Sequence, residues 1–261
     1  MAEQDWTFNH TLRLLAQKGL RYATVFDLGC ADGHFFVENY LTGCFPASVP
    51  VNIDANRLYE PSLQSIQAVF GGHYRIAAAS DVAGEIELTT SLHPYWNSVR
   101  PPGDLYWDRL NGMTAGLELV PALRLDDLAE ELDLKPPFLL KLDIQGAEVQ
   151  ALRGARSVLA ATDVVICEAD IADFQAINAE LVAAGFDLFD LTLIERVPDG
   201  TLGWFYPVYL SRRLAHLRPK QFFRAADNEA VIRSQIERRR EITAKLGAAL
   251  AQIRRSRQTK D

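Results

Sequence analysis

The sequence predicts an α/β protein with a seven-stranded, mostly parallel sheet, helices on both its faces, and a helical C-terminal extension. Three observations carry this. Short apolar runs alternate with segments of helical spacing between residues 23 and 191. Four of the runs end on acids: Asp27, Asp54, Asp143 and Glu168. The first run, Val25-Phe26-Asp27-Leu28, turns on Gly29 and Gly33, as a buried strand entering a tight loop and then a helix does.

The elements follow in order. A covering helix is expected over residues 5–20, with Trp6, Phe8, Leu12 and Leu15 facing inward. Strand one is Ala23–Leu28, and a helix over Gly33–Tyr40 follows it. Strand two, Val49–Ile53, ends at Asp54; Leu63, Ile66 and Phe70 then have helical spacing within Pro61–Phe70. Strand three is Tyr74–Ala79, and a short extra strand, Glu85–Leu88, follows the Ala83-Gly84 turn. Residues 90–117 break the rhythm with Pro94, Pro101-Pro102, Gly103, Gly112 and Gly116, and read as a long surface excursion, often a functional lid. Leu125–Leu134 is helical up to Pro136-Pro137. Strand four is Phe138–Asp143, a helix covers Ala147–Ala160, and strand five is Asp163–Cys167. A helix over about 173–184 ends at Gly185, and Phe186–Leu191 and Trp204–Leu210 form the last two strands.

The 261 residues are 48% hydrophobic and 23% charged, ordinary for a soluble globular chain. No apolar run reaches the length of a membrane span, and the acidic N-terminus has no apolar leader core. Cys30, Cys44 and Cys167 are odd in number and widely spaced, which fits reduced thiols and a cytoplasmic location. Charge is uneven. Residues 211–261 hold 14 Lys/Arg against 5 Asp/Glu, and the rest of the chain holds 13 against 29. The division expected is therefore an α/β domain over 1–210 and a basic extension over 211–261. In the extension Ile242, Leu246, Ala249 and Ile253 make a narrow amphipathic seam. It could join copies of the chain into a homo-oligomer or touch an anionic membrane surface. Arg238-Arg239-Arg240 could contact phosphates, but the acidic body argues against nucleic acid.

The loop spacing separates cofactors. A dinucleotide fingerprint needs G-x-G-x-x-G, but Ala31 and His34 occupy the second and third glycine positions. The pattern is Asp27-x-Gly29-x-x-x-Gly33, and an acid at 27 repels a pyrophosphate while suiting a cationic cofactor bearing an amino acid. That points to S-adenosyl-L-methionine rather than NAD. Asp54 is placed to accept the ribose hydroxyls, and Ser80 or Asp81 to meet the adenine edge or to cap the turn before Gly84. In the segment Lys141-Leu142-Asp143-Ile144-Gln145-Gly146-Ala147-Glu148, Lys141 and Asp143 share one face of a strand. Asp143 is the first candidate for a base, with Lys141 and Glu148 holding it or touching substrate; the alternative is a structural ion-pair and cap network. Asp143 with Glu168 could hold a divalent cation, which is not the favoured reading. His34 follows the loop as a helix N-terminal residue. His93, Trp96, Asn97, Arg100, Tyr106 and Trp107 in the excursion either wall an acceptor pocket or pack the loop.

The glycine loop, the 141–148 segment, Leu152-Arg153-Gly154-Ala155, Leu123-Arg124-Leu125-Asp126-Asp127-Leu128 and Glu168 together resemble FkbM-type S-adenosylmethionine-dependent methyltransferases over about residues 23–191. The resemblance implies the class I methyltransferase (Rossmann-like) fold. It also implies O-methylation, most often of sugars, glycolipids or natural products. The chain departs from that pattern at Gln145, where the family usually has Glu, and at Asp54-Ala55, where it usually has Glu-Pro. Rival readings are a non-catalytic cofactor-binding assembly or regulatory protein working through the tail, an RNA methyltransferase, and an NAD-dependent oxidoreductase.

Overall fold

Strand β1 (Thr24–Leu28) is buried at every position, as a strand covered on both faces should be. The computed structural model describes residues 6–103, 112–218 and 228–258, in two units, Met1–Leu217 and Arg218–Asp261. In the first unit β1 pairs in parallel with β2 (Val49–Asp54) and with β7 (Phe138–Leu142). β3 (His73–Ile76) extends the sheet beyond β2, and β8 (Thr162–Cys167) extends it beyond β7, both in parallel. β11 (Trp204–Ser211) then runs antiparallel between β8 and β10 (Phe186–Thr192). The spatial order is β10-β11-β8-β7-β1-β2-β3, with the two-residue β9 (Ala169–Asp170) also on β11. Strand order reverses beside β1, and that switch point opens a crevice at the strands' carboxyl ends.

Side chains alternate across the sheet with period two. Phe26, Leu28, Leu140, Leu142 and Val165 join one core cluster with apolar residues of α4 (Leu125–Glu131), α5 (Glu148–Arg153), α6 (Arg156–Ala160) and α7 (Phe174–Ala183). Val25, Leu139, Val164 and Ile166 face the other way, onto α1 (Phe8–Gln17) and α2 (His34–Leu41). α3 (Glu60–Phe70) packs Leu63 and Ile66 against Cys30 and Ala31 of the glycine loop.

Several expectations change. Trp6 is 51% exposed, and its indole N–H is shared between Thr11 and Asp190 instead of entering the core. The expected third strand breaks at Ala77, after which β4 (Ala78–Ala79) leaves for a second sheet. That sheet, of order β4-β6-β5, contains β5 (Gly84–Ser91) and β6 (Thr114–Leu123). The excursion thus ends in a ten-residue strand whose Gly116 and Pro121 mask it in sequence. The expected helix over Ala147–Ala160 is two short helices. Gly154 lies at the break because a Cβ there would stand 2.0 Å from the Ser80 carbonyl oxygen.

The 3-10 turn Arg212–Leu217 falls within the first unit, and Leu214 and Leu217 pack on its core. The second unit contains α8 (Asn228–Gln258), a 31-residue helix with Ile242 and Leu246 exposed. Among the described residues no helix is long and apolar enough to cross a membrane. Tyr106 and Trp107, and the side chains of Ala249 and Ile253, lie outside the described residues.

Candidate active site

Asp27 and Lys141 face each other across the β1–β7 ladder, and both are buried. Lys141 Nζ lies 3.1 Å from Asp27 Oδ1 and 3.4 Å from Asp143 Oδ2. Desolvation opposes the ammonium, but the charges of Asp27 and Asp143 outweigh it and hold its pKa above the ordinary lysine value. Burial pushes the Asp27 carboxyl up, and Lys141 pulls against that rise. Asp27 lies beneath the site and does not line the cavity.

Gly29 has φ +68°, and a Cβ there would stand 1.8 Å from the Asp143 carbonyl oxygen. The glycine is therefore required by the approach of the β1 and β7 loops to each other. Gly33 (φ +78°) starts α2 and packs against Ile66, behind the cavity wall. Between them Ala31 also takes a left-handed conformation (φ +48°), which aims its N–H at Asp54 Oδ2, 2.8 Å away. The Asn56 N–H meets the other oxygen, Oδ1, at 2.8 Å. Burial lifts the Asp54 carboxyl to about 6, against the pull of these two N–H groups. Its oxygens retain lone pairs for further donors on the cavity side. Burial also pushes the Cys30 thiol up, away from a reactive thiolate.

The β7 turn holds the other half. Asp143 Oδ2 accepts a hydrogen bond from the Tyr206 hydroxyl at 2.9 Å, and Oδ1 accepts one from the Gln145 amide at 3.1 Å. The same amide nitrogen donates to Glu168 Oε2 at 2.8 Å, so Gln145 bridges the carboxyls ending β7 and β8. Burial, then the nearby Asp143 charge, holds the Glu168 carboxyl well above its ordinary range. Glu148 is buried at the start of α5, where its Oε1 accepts the Ile144 N–H at 3.1 Å, and burial lifts it to about 7. Among the described residues no group of three or more His, Cys, Asp or Glu side chains could hold a metal ion.

The excursion folds back over this turn. Ser98 Oγ donates to the Gln145 carbonyl at 2.6 Å, which secures the left-handed Gln145 (φ +55°). Arg100 Nε reaches the Gly146 carbonyl at 3.3 Å, and its guanidinium pairs with Asp173. His93 stacks on Trp96 with centroids 4.3 Å apart, and the Asn56 amide holds the Pro94 carbonyl at 3.2 Å. The result is a cavity of about 1220 Å³. Asp54, Tyr59, Asp143, Glu168 and Tyr206 line it with polar groups, and Tyr95, Trp96 and Trp204 supply aromatic walls.

Of the residues expected here, Gly29, Asp54, Lys141, Asp143, Glu148 and Glu168 meet at the cavity. So do His34, Trp96, Asn97 and Arg100, whereas His93 supports the wall from behind. Ser80 and Asp81 do not reach it. The chain has already left the central sheet at Ala77, Ser80 is buried against Gly154, and Ala77, Ala78 and Ala79 line the cavity instead. Tyr206, Tyr59, Ser98, Tyr95 and Trp204 are among the cavity residues that the sequence does not single out. Tyr206 reaches Asp143 across 63 residues because β11 inserts next to β8, a pairing with no local signal. S-adenosylmethionine fits this donor set. Asp54 offers an anchored carboxylate of the kind a ribose diol needs, and the cavity is large enough for a nucleoside cofactor beside an acceptor.

A family model described as Methyltransferase FkbM domain matches residues 45–188, more than half of the chain. No curated protein matches. Similar solved structures include the methyltransferase FkbM of Methylobacillus flagellatus KT, 16% identical over 73% of this chain, with a TM-score of 0.48. This chain spans 44% of the length of that one. The precorrin-6y C5,15-methyltransferase of Geobacter metallireducens GS-15 is 12% identical over 80% of this chain and 90% of its own, with a TM-score of 0.41. M. capricolum TrmK, in complex with S-adenosyl-homocysteine, is 8% identical over 83% of this chain and 73% of its own, with a TM-score of 0.39. The matched segment contains β2 with Asp54 and the whole β7 turn with its Lys141, Asp143 and Glu148, and this chain belongs to the FkbM methyltransferase family.

Proposed function

We propose that the protein transfers a methyl group from S-adenosylmethionine to a hydroxyl of a sugar, a glycan or a related small molecule. When bound, the cofactor supplies a methyl group on a sulfonium, whose sulfur leaves as a thioether. As the acceptor oxygen bonds to the methyl carbon, its proton must go elsewhere, because an alcohol is a weak nucleophile while protonated. Asp143 is the group offered for that proton. Its side chain is 22% exposed, opens on the cavity, and is held by Lys141, Tyr206 and Gln145. This anchored carboxylate carries the reading. The aromatic wall of the excursion supports an acceptor with a flat or C–H-rich face, such as a sugar. The basic C-terminal helix is proposed to join copies of the chain, and the three buried free cysteines support a cytoplasmic location.

The test uses the full chain, labelled S-adenosylmethionine, and a panel of neutral glycosides, nucleotide sugars and RNA. Asp143→Asn is expected to bind S-adenosylhomocysteine almost normally while losing on the order of 100-fold in turnover. Full turnover in that variant removes Asp143 from the reaction. Turnover confined to RNA replaces the acceptor class. Cofactor binding without transfer to any acceptor favours a regulatory protein.

A further inference from the structure

Among the described residues, several buried side-chain polar atoms lack a hydrogen-bond partner, including Tyr22 Oη, Asn39 Oδ1, Asn52 Oδ1 and Tyr59 Oη. Tyr59 alone of these four lines the cavity. We propose that Tyr59 is a binding residue for the nucleoside part of the cofactor, its hydroxyl donating a hydrogen bond there. The inference rests on the S-adenosylmethionine reading of the site.

The sequence around Tyr59 places it for this role. Asp54 Oδ1 accepts the Asn56 N–H, and the Asn56 side chain accepts the Leu58 N–H at 3.0 Å. Those bonds start the 3-10 turn Arg57–Tyr59, so the segment that presents Asp54 also sets Tyr59. The ring is 7% exposed, packed among Cys30, Ala31, Leu63 and Ile66. Its burial is explained by that packing; its hydroxyl is not. A phenol cut off from water without an acceptor is costly, and phenylalanine would fill the same space without the cost. A ligand in the adjoining cavity supplies the missing acceptor. The ring also stacks on Tyr95, centroids 5.7 Å apart and planes at 28°. A ligand that fixes Tyr59 therefore steadies the excursion wall on which an acceptor would rest.

Calorimetric titration of the full chain with S-adenosylhomocysteine, and with adenosine, tests this alongside thermal unfolding of the unliganded protein. Tyr59→Phe is expected to melt at the wild-type temperature or above, and to bind both ligands roughly five- to tenfold more weakly. Unchanged affinity in a variant that melts higher overturns the assignment, since the hydroxyl is then only tolerated. A lower melting temperature overturns it too, by revealing a protein partner. If the wild type binds neither ligand, the cofactor reading falls and this assignment with it. If Asp54→Ala weakens binding and Tyr59→Phe does not, the assignment alone falls.

Discussion

Replacing Lys141 by Met tests the electrostatic foundation of the site. Met fills a similar volume with an apolar chain, so packing changes little and charge changes completely. In the native protein Lys141 Nζ lies 3.1 Å from Asp27 Oδ1, and Asp27 is wholly buried, with its Oδ2 lacking any hydrogen-bond partner. Removing the ammonium leaves a carboxylate with neither water nor a counter-charge. Breaking a buried pair in this way costs about 3–5 kcal/mol. For a unit of this size each kcal/mol moves the melting temperature by about 2–4 °C, so the expected drop is roughly 6–20 °C. Without Lys141 the folded-state pKa of Asp27 rises further above its unfolded value. The penalty is then full near pH 8 and shrinks as the pH falls and Asp27 takes a proton. Adding Asp27→Asn to Lys141→Met removes the stranded charge and should recover a large part of the loss. Thermal melts of the wild type, both single variants and the double variant at pH 8 and pH 5 provide the cycle. A Lys141→Met loss below about 1 kcal/mol at pH 8, with no recovery in the double variant, would refute the argument.

Two further perturbations follow from the same geometry. Glu148 has its carboxyl lifted to about 7 by burial, so the folded protein holds that proton more tightly than the unfolded chain does. Its share of stability, roughly 3 kcal/mol, is present at low pH and is lost as the pH rises from the unfolded pKa towards 7; Asp54, lifted to about 6, acts in the same direction. Melting temperature should therefore fall between pH 5 and pH 8, and Glu148→Gln should flatten that fall; an unchanged slope in differential scanning fluorimetry counts against it. Gly29→Ala places a Cβ 1.8 Å from the Asp143 carbonyl oxygen and should cost roughly 2–4 kcal/mol and weaken S-adenosylhomocysteine binding. Gly43→Ala, also at positive φ but with open space around it, should cost only about 1 kcal/mol and spare binding. Equal losses in denaturant melts of the two would mean that backbone conformation, and not the contact with Asp143, decides Gly29.

The central sheet was legible because burial on both faces writes itself locally. Val25-Phe26-Asp27-Leu28 and Phe138–Leu142 are apolar runs whose breaks coincide with turns, and their ends lie within a residue of the expected ones. Acids at strand ends were legible for the same reason, since Asp54 and Asp143 could be placed once the strands were. β6 was not legible, because half of it is exposed and it carries Gly116 and Pro121, which read as loop. Ser80 and Asp81 were misplaced by one event, the break at Ala77 that sends the chain into a second sheet. That break answers to pairing between β4 and β6, a contact from 44 residues away in Ala78↔Ala122.

The polar partners of the site show why local reading stops where it does. Asp27 and Asp143 sit at their expected strand ends, yet what sets their chemistry arrives from elsewhere in the chain. Asp143 is held by Tyr206 from β11, and Asp27 by Lys141 from β7. Gln145 is held in its left-handed turn by Ser98 from the excursion. Gly29 contributes by what it lacks, letting the β1 loop lie directly on the Asp143 carbonyl. The cofactor side and the acceptor side therefore meet through backbone contact. A change in one loop cannot be absorbed without moving the other, because packed backbone has no spare space to take it up. It follows that changes to the backbone at this junction, such as Gly29→Ala, should affect cofactor affinity and turnover together, whereas a side-chain change that leaves the Asp143 carbonyl in place, such as Asp143→Asn, should act on turnover.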